Sequence, residues 1–228
     1  MIAVRWVFGV LVALFLAARF VAPAGYAAAR EEIVFPFVKG TTWAYAGTVR
    51  WTTGSNHAET RSVRWTSTVV DAFDRGDVAG ALLHGGVWDL AWWTPSSHPA
   101  DYAVLRSGAR YHLVRDDARR AFAAAKRAAV RMSPERDAWF DVPLRPGALL
   151  RPKDVASRAD SRYGWLVAAA STHRPGYILT YTTLPDQERV TLVPGVGVTS
   201  FVYRHHGTVA EADVRLVDVR LAGRRPAR

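Results

Sequence analysis

Thr42-Trp43-Ala44-Tyr45-Ala46-Gly47-Thr48-Val49-Arg50-Trp51 places Trp43, Tyr45, Val49 and Trp51 on one side of an extended chain and Thr42, Ala44, Thr48 and Arg50 on the other. A period of two is the mark of a strand with one face buried. The same rule sets Val63, Trp65 and Val69 against Arg64, Thr66 and Thr68. The polar stretch Thr52 to Arg61, containing Gly54-Ser55-Asn56, joins the two as a hairpin with a long loop.

Working outward, Asp74-Arg75-Gly76-Asp77 reads as a turn into a strand over Val78 to Leu83. Past Gly85-Gly86, Val87 to Trp93 reads as another strand with Trp88, Leu90 and Trp92 on one face. Tyr102 to Val114 is a hairpin about Ser107-Gly108. The period then changes. Asp117 to Met132 is Ala-rich, with Ala118, Ala121, Phe122, Ala125, Ala129 and Met132 on one side and Arg120, Arg127 and Arg131 on another, which is helical spacing. Asp116 or Asp117 is placed to cap it, and Pro134 discourages helix at Ser133.

Pro143, Pro146 and Pro152 mark an irregular region between Phe140 and Asp160. Five more strands follow, over Gly164 to Ala170, Gly176 to Leu184, Arg189 to Val193, Val198 to His205 and Val209 to Leu221. In the last, the apolar set moves from Ala212, Val214 and Leu216 to Val217, Val219 and Leu221, a phase flip that predicts a bulge near Leu216. Connections this short require antiparallel neighbours. The expected fold is all-β: an antiparallel meander closing into a barrel or curved half-barrel, a sandwich as second choice, with one amphipathic helix around 117–132 plugging or flanking an open side. No internal repeat appears, so residues 30–228 read as one domain.

The N-terminus reads as an export signal: Arg5, an apolar run from Trp6 to Ala18, and small residues ending at Ala27-Ala28-Ala29. The rival is an uncleaved anchor, but Arg19 interrupts the run and Pro23 and Gly25 follow it. Cleavage after Ala29 leaves 199 of the 228 residues and lowers the formal charge from +10 to +8. The sequence has no cysteine, which excludes disulfides, thiolate chemistry and a lipid-anchored Cys. A secreted, periplasmic or envelope location follows, with membrane contact through residues 1–29 if the signal is retained.

Two stretches look familiar together: Phe37-Val38-Lys39-Gly40-Thr41-Thr42-Trp43-Ala44-Tyr45, and Val193-Pro194-Gly195-Val196-Gly197 followed by Phe201-Val202-Tyr203 and Gly207. The pairing resembles a loose group of bacterial exported proteins and lipoproteins, TapB-like ones among them. The resemblance implies an envelope or secreted β protein and carries over no catalytic residue.

Chemistry-bearing motifs are sparse. GxSxG, SxxK, HExxH and a phosphate-binding loop are all missing, and Gly195-x-Gly197 is a turn. His205-His206 reads as a surface turn pair, since neighbours on a strand point to opposite sides. His84, and His98 near Asp101, are candidate partners for a general base, and Glu59, Asp71, Asp89, Asp137, Asp141 and Asp186 are carboxylates that a barrel can bring together. No metal or cofactor is implied, and export argues against a nucleic-acid partner. The tryptophans are the strongest signal. Trp43, Tyr45, Trp65, Trp88, Trp92 and Trp93 are the candidate ligand-binding set, for core filling or for a cavity or groove taking an apolar or sugar-like ligand. Arg119, Arg120, Lys126, Arg127 and Arg131 are the candidate contact with an anionic envelope surface. The reading is thus an exported, non-enzymatic β protein binding an apolar ligand, with an envelope-interaction role and a hydrolase of envelope polysaccharide or lipid as alternatives.

Overall fold

Alternation along the chain becomes one antiparallel sheet. In a computed structural model, residues 35–52, 57–89, 99–127, 138–151, 156, 158–170, 175–205 and 210–223 are described, and residues 1–29, read above as an export signal, lie outside them. The strands are β1 (Thr42–Thr52), β2 (Ala58–Asp74), β3 (Val78–His84), β4 (Asp101–Ser107) and β5 (Arg110–Val114). After helix α1 (Ala118–Lys126) come the short β6 (Ala138–Asp141) and β7 (Leu149–Leu150). The chain ends with β8 (Trp165–Ala169), β9 (Tyr177–Thr182), β10 (Asp186–Val193), β11 (Gly197–His205) and β12 (Ala210–Arg220).

Each strand pairs with its sequence neighbour except at β6 and β7, and β1 closes on β12. The sheet order is therefore β6-β5-β4-β3-β2-β1-β12-β11-β10-β9-β8-β7, with β6 and β7 returning beside one another. This is a nearly closed barrel rather than the sandwich. The β1–β12 join is the tightest approach: a Cβ on Gly47 would lie 2.0 Å from the Asp213 carbonyl oxygen. The expected bulge is there, because Ala44 faces Asp218 while Tyr45 faces Leu216, leaving Val217 as the extra residue.

Inside the barrel, aromatic rings form a continuous path. Trp43 meets Phe35 at 5.3 Å, Phe35 meets Phe37 at 6.1 Å, and Phe37 stacks on Tyr111 at 6.0 Å. Tyr111 stacks on Phe140 at 4.6 Å, and Phe140 leads to Trp139 at 5.0 Å. From Trp139 the path forks, to Trp88 at 5.5 Å and Tyr102 beyond it, and to Trp165 at 6.4 Å and Tyr181 beyond that. Each such pair stabilises by about 0.5–1.5 kcal/mol beyond area burial.

The outer face is of two kinds. Over β3 and β4 it is apolar, and α1 covers it: Ala118, Phe122 and Ala125 pack on Leu82, Ala103, Leu105 and Val114, with Phe73 edge-on to Phe122 at 5.4 Å. The helix therefore flanks a closed wall instead of an open side. On β1, β2, β11 and β12 the outer face is exposed and charged, with Arg50, Arg64, Arg204, Glu211, Asp213 and Arg215. That is the reverse of the apolar band by which a membrane barrel faces lipid.

Three local expectations are corrected. Val87 and Trp88 are in a turn and not in a strand: Gly85 takes φ +71°, and β3 already spends its free edge on β4, where His84 faces Asp101. Asp117 stands at the helix N-cap in a left-handed conformation, but its carboxylate makes no cap bond and instead accepts from Arg120 Nη2 at 2.6 Å. The β1–β2 pairing runs out to Thr52 opposite Ala58, so the hairpin loop is far shorter than Thr52 to Arg61. Leu90 to Trp93 and the helical continuation to Met132 lie outside the described residues.

Candidate functional site

The two ends of the barrel are built differently. One carries the connections 75–77, 108–109, 142–148, 170–176 and 194–196; the other carries 53–57, 85–100, 115–137, 151–164, 183–185 and 206–209. Long connections cluster at the second end, which is where binding residues on a rigid scaffold usually stand.

The short-connection end is sealed. Trp43 is 1% exposed and donates its Nε1–H to the Val196 carbonyl at 2.6 Å, and Tyr45, 2% exposed, donates its hydroxyl to the Val198 carbonyl at 2.9 Å. The entry strand and the Pro194 to Gly197 turn, quoted separately above, are thus bonded to each other. Burial pushes the Tyr45 phenol pKa well up, so it stays a neutral donor. Trp43 and Tyr45 belong to this seal. Trp65 lies half-buried on Tyr45, ring centroids 5.4 Å apart.

At the other end the inward-facing positions turn polar. Val190 and Leu192 of β10 point inward; two and four residues earlier in the same phase come Glu188 and Asp186. On β11 the same phase runs from Phe201 to Tyr203 to His205, and the register sets Glu188 opposite Tyr203 and Asp186 opposite His205. His205 Nδ1 lies 2.5 Å from Asp186 Oδ1, to which the Tyr203 hydroxyl also donates at 2.7 Å. Burial raises the Asp186 pKa, but these bonds outweigh it and hold the carboxyl below its ordinary value. An ionised Asp186 can only accept, so His205 bonds it through an Nδ1–H. Tyr203 is held protonated, by burial first and Asp186 second.

Across the mouth, Arg115, one residue past β5, forms a two-point pair with Glu188, Nη2 to Oε2 at 2.7 Å and Nη1 to Oε1 at 3.1 Å. Six strands lie between β5 and β10 in the sheet, so this pair spans the barrel. Burial works against the Arg115 cation, but Glu188 more than offsets it and pushes the pKa above its usual value, with Tyr102 and Tyr181 adding to the effect. Tyr102 is itself held protonated by burial and by Asp89. Asp89 is buried and accepts the Ala100 N–H at 2.6 Å, tying the 85–100 connection to the start of β4. Of the two tyrosines near Arg115, Tyr102 meets Trp88 and Tyr181 meets Trp165, and both tryptophans meet Trp139. The indole N–H groups of Trp88 and Trp139 are buried and have no hydrogen-bond acceptor among the described residues. An unmet buried donor costs about 1–3 kcal/mol.

Of the sequence-predicted ligand set, Trp88 stands at this mouth, and Trp92 and Trp93 lie outside the described residues. Asp186, one of the carboxylates named above, joins Arg115, Glu188, Tyr203 and His205 in a cluster that motif reading does not assemble. Its signal was the strand phase, with polar residues continuing the buried face of β10 and β11 beyond its apolar stretch. His205 correspondingly lies in β11 facing inward and not in a surface turn.

The basic residues of α1 stand apart from the mouth cluster. Arg119 pairs with Asp101, which His84 also approaches at 3.0 Å; Arg120 pairs with Asp117; Lys126 Nζ donates to Asp71 at 2.6 Å. The Lys126 hydrogen bond, against a burial penalty, holds the Asp71 carboxyl below its ordinary value. Arg127 is exposed at the helix C-cap, and Arg131 lies outside the described residues. Arg119 and Lys126 thus pair with carboxylates of the sheet, and Arg120 with the N-cap residue of its own helix.

No family model and no curated protein matches the chain. Among solved structures it is similar to a protein from Bacteroides fragilis described as exported, with a YmcC-like fold, at a TM-score of 0.39 and 9% identity over 82% of this chain and 98% of that one. It is likewise similar to a protein from Parabacteroides distasonis described as a lipoprotein, at a TM-score of 0.37 and 9% identity over 83% and 99% of the two chains.

Proposed function

We propose that this is an exported, non-enzymatic β-barrel protein that takes a small apolar or amphipathic ligand through its long-connection end. One observation carries the reading: the aromatic path reaches the long-connection end, and on it two buried indole donors, of Trp88 and Trp139, lack an acceptor among the described residues. A site of mainly aromatic walls with a few placed polar groups is the usual chemistry of a small-molecule pocket. Native mass spectrometry of the protein purified from its own secretory compartment tests this. A chain starting at Arg30 with a releasable small molecule supports the reading. An apo mass, together with no change in tryptophan emission on adding C12 amphiphiles, removes it.

The Asp186–His205 couple supports a second reading, general-base hydrolysis of an ester-bearing ligand by His205 Nε2. Release of p-nitrophenol from p-nitrophenyl dodecanoate, abolished by His205→Asn, is its signature. Equal rates in the two proteins dismiss it.

A further inference from the structure

We propose that Arg115 is the seat of a ligand carboxylate, so that the bound molecule is an amphipathic carboxylic acid whose chain lies on the aromatic rings below. The proposal rests on the ligand-binding reading and names its ligand class. The Glu188 carboxylate already sits on the Arg115 guanidinium in the planar two-point geometry that a free carboxylate would adopt. The two partners differ in access: the Glu188 side chain is 15% exposed while that of Arg115 is 43% exposed, so solute from outside meets the cation first.

The surroundings fit the other half of such a ligand. Tyr102 and Tyr181 lie within electrostatic reach of Arg115, with Trp88 against the first and Trp165 against the second. A formal charge of +10 draws anions toward the molecule. The nearby carboxylate Asp186 is engaged by His205 and Tyr203, which leaves it a poor seat for a cationic head. Glu188 then acts as an internal competitor: a ligand carboxylate takes its place on Arg115.

This assigns opposite effects to the two members of one ion pair. Binding of dodecanoate, dodecyltrimethylammonium and dodecyl maltoside to the full chain, each below its aggregation concentration, is followed by tryptophan emission and calorimetry. Dodecanoate should bind about tenfold more tightly than the other two. Glu188→Gln should tighten dodecanoate by about another tenfold, and Arg115→Gln should erase its advantage while leaving dodecyl maltoside unchanged. A merely structural clasp would make both variants weaken all three probes alike, which overturns the proposal, as does a preference for the cationic head. Equal binding of the three heads leaves the ligand-binding reading standing and refutes the carboxylate. No binding of any probe ends both. Circular dichroism of each variant separates lost folding from lost affinity.

Discussion

The sealed end and the mouth of this barrel are made from the same strands, yet the buried phase is mainly apolar at the sealed end and turns polar at the mouth. Leu192, Val198 and Trp43 carry the buried phase there, and the polar atoms of Trp43 and Tyr45 are met by the 194–196 turn and by the start of β11. At the mouth, the buried phase passes to Asp186, Glu188, Tyr203 and His205, which are bonded mainly to one another and to Arg115. Inward carboxylates contribute little to stability, because desolvation offsets much of their pairing. The sealed end holds the barrel; at the mouth the fold gives up apolar core for polar contacts.

The sharpest way to break that contrast is to change one aromatic residue at each end. Trp43→Ala should cost about 3–5 kcal/mol, as large aromatic truncations in cores do, and its lost contact with the Val196 carbonyl adds to the damage. Tyr203→Phe at the mouth removes one hydrogen bond to an ionised Asp186 that keeps His205, and should cost about 1 kcal/mol. Urea denaturation of the two variants measures both. Equal losses would mean that the mouth cluster is as structural as the seal.

Much of the sealed end was legible in the sequence. The alternation of Trp43, Tyr45 and Val49, the Pro194 to Gly197 turn and the phase flip at Leu216 each have a local physical cause that a single strand displays. Val87 and Trp88 misled because an apolar run behind two glycines satisfies the strand pattern, whereas pairing is decided by which edge is free, and β4 already holds that of β3. Arg115 was illegible as a partner of Glu188. The two are 73 residues apart, and only barrel closure brings their strands face to face.

Between the two ends, Gly47 tests closure itself. Gly47→Ala puts a methyl group against backbone of β12, which cannot swing away as a side chain can, and should cost about 1–3 kcal/mol. Thermal unfolding would show it. A neutral result would mean that β1 and β12 can separate locally without loss.

His112 sharpens the comparison through pH. It is 1% exposed on the outer face of β5, beside the Arg110–Asp141 pair, and its Nδ1 has no hydrogen-bond partner among the described residues. Burial, then the Arg110 cation, depresses its pKa to about 4, with Asp141 opposing. A depressed histidine takes up protons more readily when unfolded. Its contribution is therefore complete above the unfolded value of about 6.5 and is lost as pH falls toward the folded value. Stability should fall by about 2–3 kcal/mol across that window, and His112→Leu should flatten the fall. An unchanged pH profile in the variant would place the acid sensitivity elsewhere, the His205–Asp186 couple being the next group to test.

The smallest effect concerns α1, which the sheet holds by apolar packing and by two ion pairs at its ends. Lys126 and Asp71 are 42% and 38% exposed, so water screens most of their attraction, and pairs of this kind contribute about 0.2–1 kcal/mol. Lys126→Met should therefore lower stability by no more than this at low salt and by nothing measurable at 1 M salt, while Phe122→Ala, which empties the contact with Phe73, should cost several times as much. If the lysine mattered more than the phenylalanine, the helix would be docked by charge, and its arginines would be committed to the barrel instead of available to an anionic surface. With the order as expected, apolar packing docks the helix, and the ion pairs on Arg119 and Lys126 are weak enough to exchange partners.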